Sequence, residues 1–261
     1  DAYLRFNAPA NEDYFVQVYD HLRAGGPDFA YRVEIAPVKP ALTMSLPEVE
    51  QYVPVVLSAP RGNRMALMVN AARSNWGGDL NVTLEGLPQG LAFQTVPMAA
   101  DRTTVPVLFS AAADAPLDGT LTQVIGRPAD PNVPIVGQLE QRTMLVRGQN
   151  NIDVWGHTAD RMAAAVTEAV PFEIEIAQPQ APIARQGSKQ LKVAVKRKDG
   201  FAQPIALRLL YAPPGIGASG SITIPGDKSE GEIPLTANGN AAIGTWPLIA
   251  IGTATVGNGG V

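Results

Sequence analysis

The side chains that could do chemistry in this sequence are few and scattered. Serine hydrolysis needs a serine, a histidine and an acid that converge, often on a Gly-x-Ser-x-Gly turn. The run Gly217-Ala218-Ser219-Gly220-Ser221 approaches that pattern but ends on serine, and neither His21 nor His157 lies near it in sequence. A glycine-rich loop between strands accounts for it. The two histidines form no His-x-x-x-His or His-Glu pair, so a zinc site is not indicated, and His157 near Asp160 reads as a turn residue. Calcium needs several oxygen ligands from one loop. Asp114, Asp118 and the trio Asp13, Asp20 and Asp28 are the available sources; none has EF-hand spacing, and turn initiation accounts for Asp114 and Asp118. With no cysteine, disulfides, thiolate metal sites and cysteine nucleophiles are excluded. The expectation is no catalytic residue, no metal ligand set and no cofactor.

Binding chemistry offers more. Lys189, Lys192, Lys196, Arg197 and Lys198 form the one basic cluster. Alternation places Lys192 and Lys196 on one solvent face, and no aromatic residue interleaves with them. A net charge of −4 and the lack of a long basic run argue against nucleic acid. Three tryptophans are candidate platforms for sugars or partner surfaces. Trp76 and Trp246 fall at repeat-related positions and read as core or core edge. Trp155 has no repeat partner and is the one candidate for ligand binding, although packing at a module junction is the expected role. Asn81-Val82-Thr83 fits a glycosylation sequon, a pattern that chance often produces.

The elements that must position these residues are short strands. Glycine (25) and proline (23) together make about 18% of the 261 residues, against about 12% in an average chain, which favours turns and strands over long helices. Alternating runs occur at 3–6, 14–19 and 31–35, then at 65–71, 80–84, 104–111, 121–125 and 143–146. The segment 157–168 fits a helix through its alanines or a strand through Met162, Ala164 and Val166; strand is favoured in an all-β context. No stretch of 18 apolar residues is present, so no helical membrane span is expected.

An internal repeat organises the chain. Trp76, Leu80, Leu84, Pro88 and Gly90 match Phe201, Ile205, Leu209, Pro213 and Gly215 at a constant spacing of 125 positions, as do Gly119-Thr120 and Gly244-Thr245. Val107, Phe109 and Ala111 match Ile233, Leu235 and Ala237 after a slip of one residue, and Pro60-Arg61-Gly62 parallels Arg185-Gln186-Gly187. Two copies, near 41–126 and 172–254, each with about seven strand-like runs, have the profile of immunoglobulin-like sandwiches. In the second copy Leu191, Val193, Val195, Ile205, Leu207 and Leu209 should face inward.

Several stretches add a resemblance. Asp13-Tyr14-Phe15-Val16-Gln17-Val18-Tyr19-Asp20, Gly25-Gly26-Pro27-Asp28 and Tyr31-Arg32-Val33-Glu34-Ile35 resemble the second half of a pre-peptidase C-terminal (PPC) domain. Gly86-Leu87-Pro88-Gln89-Gly90 resembles the GLPxG turn of bacterial Ig-like modules, and 145–157 is similar to a more specific part of planctomycete-type secreted multidomain proteins. The resemblance implies an all-β chain: residues 1–38 as the C-terminal part of a PPC-type β-sandwich, 39–170 as an Ig-like sandwich with an extended inter-module segment at 127–170, and 171–261 as a second Ig-like sandwich. It also implies export to the cell surface, periplasm or medium. The expected role is non-catalytic, as spacer or adhesion modules partnered by other domains of the same polypeptide. The alternatives are a polysaccharide- or protein-binding module, or an accessory region of a secreted peptidase whose catalytic domain lies elsewhere.

Overall fold

The computed structural model describes residues 4–218, 220–257 and 259–261. Cα proximity divides the chain into a unit ending at Val38 and a unit from Lys39 to Val261.

The first unit departs from the sequence expectation. Alternation predicts three strands there, yet no strand forms among residues 4–38 (Tyr3 lies outside the described residues). The physical reason is a lack of partners. A strand is stabilised by a ladder and by a buried face, and these runs have neither: Phe15 is 99% and Ile35 82% exposed. Local contacts remain. The Asp20 carboxylate accepts the backbone N–H groups of Leu22 and Ala24, and the Arg23 guanidinium stacks 3.9 Å from the Tyr19 ring centroid.

The second unit is β throughout, apart from one short 3-10 turn. Its first half holds β1 (Ala41–Ser45), β2 (Leu57–Pro60), β3 (Arg64–Ser74), β4 (Leu80–Glu85), β5 (Leu91–Thr95), β6 (Thr104–Ala111), β7 (Asp118–Pro128), β8 (Gly137–Leu139), β9 (Gln141–Arg147), β10 (Asp153–Ala159) and β11 (Met162–Thr167). Its second half holds β12 (Phe172–Ile176), β13 (Ser188–Arg197), β14 (Ile205–Tyr211), β15 (Ile216–Ala218), β16 (Ser221–Ile224), β17 (Glu230–Ala237), β18 (Ile249–Thr253), β19 (Thr255–Val256) and β20 (Gly259–Gly260).

In the first half a nine-stranded sheet runs β2-β11-β7-β8-β1-β3-β6-β5, with β4 also on β7. Its two halves fold over one core, where Met44, Leu67, Val107 and Phe109 meet Leu80, Val82, Val124, Met162 and Leu57. In the second half a four-stranded sheet, β12-β13-β17-β15, faces a three-stranded one, β16-β14-β18, over a separate core. Four antiparallel strands against a smaller sheet is the immunoglobulin-like arrangement. Burial follows the period of two: in β13, Leu191, Val193 and Val195 are buried, while Lys192 and Lys196 point to solvent. Leu209 is half-buried against the same core. The 157–168 segment resolves as strands, and Met162, Ala164 and Val166 form the buried face of β11.

The repeat is a repeat of topology. The pairs β1·β3, β3·β6, β5·β6 and β4·β7 recur as β12·β13, β13·β17, β15·β17 and β14·β18. Register carries over as well: Leu67 lies opposite Val107 as Leu191 lies opposite Ile233. Gly90 and Gly215 both hold φ +79. An added Cβ would meet Ala115 Cβ at 2.6 Å in one copy and Ala241 Cα at 2.5 Å in the other, so glycine is required twice. The sequence match needs two adjustments. Asn63 N–H bonds Pro60 O as Gly187 N–H bonds Ala184 O, so the left-handed position Gly62 (φ +67) corresponds to Gln186 (φ +61), one residue from the sequence alignment. Leu121 is exposed in β7, whereas its alignment partner Trp246 lies in the loop before β18.

Each copy also carries an arginine that the sequence did not single out as structural. Arg73, at the end of β3, donates from Nε to Gly78 O (3.0 Å), from Nη1 to Arg102 O (2.5 Å), and from Nη2 to Met98 O (3.3 Å) and Ala99 O (3.2 Å). Its guanidinium lies 5.7 Å from the Trp76 ring centroid. Burial lowers the Arg73 pKa from its ordinary value, and the nearby Asp79 carboxylate opposes that shift. Arg197, at the end of β13, donates to Gln203 O (2.7 Å), Pro225 O (3.1 Å) and Lys228 O (3.4 Å) and lies 5.7 Å from the Phe201 ring centroid. Arg73 ties the loop before β4 to the loop between β5 and β6, and Arg197 ties the loop before β14 to the loop between β16 and β17. A planar fork with five donors suits several carbonyl acceptors at once.

Candidate functional site

Trp155 is 61% exposed, which corrects the expectation that it packs at a module junction. It stands on β10, which pairs with β9 in a two-stranded ribbon separate from the large sheet. Beyond its base the ribbon has no second layer to bury its faces, so the apolar side chains there stay in water. Leu145, Val146, Ile152 and Val154 are exposed beside it. A register shift brings Trp155 opposite Val146 and Gly156 opposite Met144. Glycine fits there because an added Cβ would meet Thr143 O at 2.8 Å and Met144 Sδ at 2.9 Å.

The ribbon is anchored at base and tip. Met144 is buried, and the buried Gln141 donates from Nε2 to Val55 O (3.0 Å). At the tip Asn150 and Asn151 take left-handed φ values of 55° and 61°, which asparagine tolerates better than most residues. The Arg147 guanidinium bonds both Glu48 carboxylate oxygens (2.9 and 2.7 Å) and pairs with Asp153 (3.2 Å). Gln51 Nε2 donates to Asn151 Oδ1 at 2.6 Å. These bonds hold the ribbon against the segment 47–56, where Val49, Tyr52, Val53 and Val56 are also exposed. Sequence reasoning found Trp155 because it lacked a repeat partner. It missed the aliphatic neighbours and Arg147, whose grouping depends on a bulged hairpin. The same reasoning read 127–170 as an extended inter-module segment; β8 and β11 within it are strands of the large sheet.

The remaining candidates do not converge. Trp76 is half-buried against the first core; Trp246 is half-buried, with Arg102 5.8 Å from its ring centroid and its Nε1 buried without a hydrogen-bond partner. His157 lies on β10 opposite Thr143, in a strand where a turn was expected. Ser219 of the glycine-serine run lies outside the described residues. Among the described residues no three His, Asp or Glu side chains group as metal ligands. Asp118 accepts the Gly119 N–H at 2.8 Å. Asn81 and Thr83 of the sequon lie within β4. The basic cluster is a mixed-charge ladder: Lys196 pairs with Glu175 at 3.2 Å and Lys192 with Glu232 at 4.0 Å, while Lys189 donates to Ala181 O and Arg197 forms its clasp. No helix among the described residues is long and apolar enough to cross a membrane.

The fold defines an all-β chain of tandem Ig-like sandwiches. No protein-family model matches the chain, and no curated protein matches it. Solved structures with some likeness include domains 4–9 of surface layer protein SbsC (12% identity, TM-score 0.32, covering 82% of this chain and 31% of that one). A titin structure (9% identity, TM-score 0.23, covering 85% and 94%) is another. Fibronectin(III)-like modules of Clostridium thermocellum CbhA are a third (8% identity, TM-score 0.20, covering 81% and 92%). The chain spans about a third of the length of the surface-layer structure. The sandwich class rests on this chain's own strands, register and cores.

Proposed function

We propose that this chain is a non-catalytic adhesion segment of an exported bacterial multidomain protein, and that the β9–β10 ribbon is its recognition element. The observation that carries the reading is the exposure of Trp155 beside Val146, Val154 and Ile152 on a ribbon held by Arg147. An exposed tryptophan paired across the strands with an exposed valine, on a ribbon with other exposed aliphatic residues, has the composition of a protein-binding hot spot. A sugar site would need several convergent polar groups around the ring, so protein is favoured over polysaccharide. Export and a place beside other domains draw support from the resemblance to PPC-containing secreted proteins.

The test is titration of the chain with collagen-like proteins and with cell-wall and algal polysaccharides, read by tryptophan emission. A saturable shift with a protein ligand, abolished by Trp155→Ala in a variant of unchanged circular dichroism, supports the reading. A shift confined to polysaccharides moves the assignment to sugar binding. No response from any ligand removes the recognition role and leaves a spacer.

A further inference from the structure

The two copies differ at one edge of the sandwich. In copy one β8 closes it: Thr43 and Met44 pair with Gln138 and Leu139 in parallel, and Ile125 and Gly126 pair with Gln138 and Gly137 antiparallel. Under β8, Met44 is 0% and Leu46 8% exposed, and Leu139 itself is 1% exposed. Gly137 has no room for a side chain, since a Cβ would meet Leu42 Cγ at 2.5 Å.

In copy two β12 and β18 take the places of β1 and β7, and each is the edge of its sheet. Register aligns Met44 with Ile174, Leu46 with Ile176 and Gly126 with Gly252. Gly252 approaches Ile174 (3.1 Å from an added Cβ) much as Gly126 approaches Met44. No strand lies between β12 and β18 among the described residues. Ile174 and Ile176 are only half-buried, and a cavity of about 770 Å³ opens there, walled by Ile174, Leu248, Gly252 and Val261 on the second copy and by Met65 and Leu108, among others, on the first. The chain already turns towards this groove. Ala254 and Val261 exchange both backbone hydrogen bonds at 2.8 Å, antiparallel. Carried on, that pairing would set Gly252 opposite the second residue after Val261, the register that Gly126 and Gly137 have in copy one.

We propose that the groove between β12 and β18 is an acceptor site for an extended strand of glycine–polar–leucine pattern, bound parallel to β12 and antiparallel to β18. Its backbone satisfies two open ladder edges, its glycine passes Phe172, the counterpart of Leu42, and its leucine covers Ile174, as Leu139 covers Met44. Strand addition of this kind takes affinity from main-chain bonds and specificity from the alternate side chains.

The test adds the strand to the intact chain in two ways. One is a free peptide with the sequence of residues 136–141. The other is a variant whose chain continues after Val261 with Val-Gly-Gln-Leu-Glu, which raises the effective concentration to about the millimolar range. Amide hydrogen exchange is followed at residues 172–176 and 249–253. The expected result is exchange slowed at least tenfold at both edges in the extended variant, with a raised Tm. The effect should be lost when the added leucine is replaced by aspartate, and saturating free peptide should reproduce it. Unchanged exchange with both reagents overturns the proposal, as does protection that ignores the leucine. Protection that grows with protein concentration and without peptide would place a second copy in the groove and also overturn it.

Discussion

Replacing Arg73 should cost more stability than any exposed charge on this molecule. Its guanidinium donates to four backbone carbonyls from two loops, and none of the acceptors is a carboxylate. A hydrogen bond from a charged donor contributes about 1.5–3 kcal/mol net. The two bonds to Met98 and Ala99 share one nitrogen and are long (3.3 and 3.2 Å), so they add little. The bonds to Gly78 (3.0 Å) and Arg102 (2.5 Å) dominate. Arg73→Ala should therefore cost about 3–5 kcal/mol, including about 0.5–1 from the Trp76 face. Arg197→Ala, with bonds of 2.7, 3.1 and 3.4 Å, should cost about 2–3 kcal/mol. Arg73→Lys keeps the charge but not the fork, and should lose about 2–3 kcal/mol. Because the acceptors are carbonyls, the losses should change little between low salt and about 0.5 M salt. Urea unfolding followed by tryptophan emission and far-ultraviolet circular dichroism measures each value. A loss below about 1 kcal/mol for Arg73→Ala, or a lysine variant as stable as the parent, would refute the clasp as a stabilising device.

Other consequences follow from the same geometry. Gly90→Ala and Gly215→Ala should each cost about 2–4 kcal/mol, from a left-handed backbone plus contacts at 2.6 and 2.5 Å; Gly86→Ala, whose nearest atom is 3.6 Å away, should cost about 1 kcal/mol by the same urea assay. Arg147→Ala should leave the global Tm within a few degrees while exposing 145–155 to limited proteolysis, because it frees the ribbon without touching either core. Retention of the parent chain on heparin that Lys192→Glu and Lys196→Glu abolish would contradict the charge ladder, which predicts weak binding and a stability change under about 1 kcal/mol for either variant. Trp155→Phe should shift the mean emission to the blue and reduce acrylamide quenching, since the other two tryptophans are half-buried.

Much of the architecture was legible where one face of a strand is buried. Leu191, Val193 and Val195 show inward alternation, and Thr104–Ala111 was bounded to the residue, because a period of two against glycine and proline leaves few alternatives. The tandem repeat was legible through Pro88-Gly90 and Pro213-Gly215, where backbone geometry restricts residue choice. Residues 4–38 misled because alternation reports what a strand would bury and says nothing about whether partner strands are at hand. The clasps were hidden for a related reason. Arg73 bonds carbonyls contributed by loops at 78 and 98–102, and a carbonyl has no sequence signature. Trp155 was visible only as an anomaly in the repeat; its exposure depends on β9 and β10 leaving the large sheet.

The claim that recognition lies in the ribbon of copy one is tested most directly by removing the ribbon. Residues 145–155 are replaced by a two-residue Asn-Gly turn that lets Thr143 and His157 stay paired. Parent and variant are compared for binding to an immobilised panel of collagen-like proteins and cell-wall polysaccharides. The account predicts that the variant keeps the parent's unfolding free energy within about 1 kcal/mol and loses whatever protein ligand the parent holds. A folded variant that still binds with the parent's affinity would contradict it, because the contact would then lie on the sandwiches themselves.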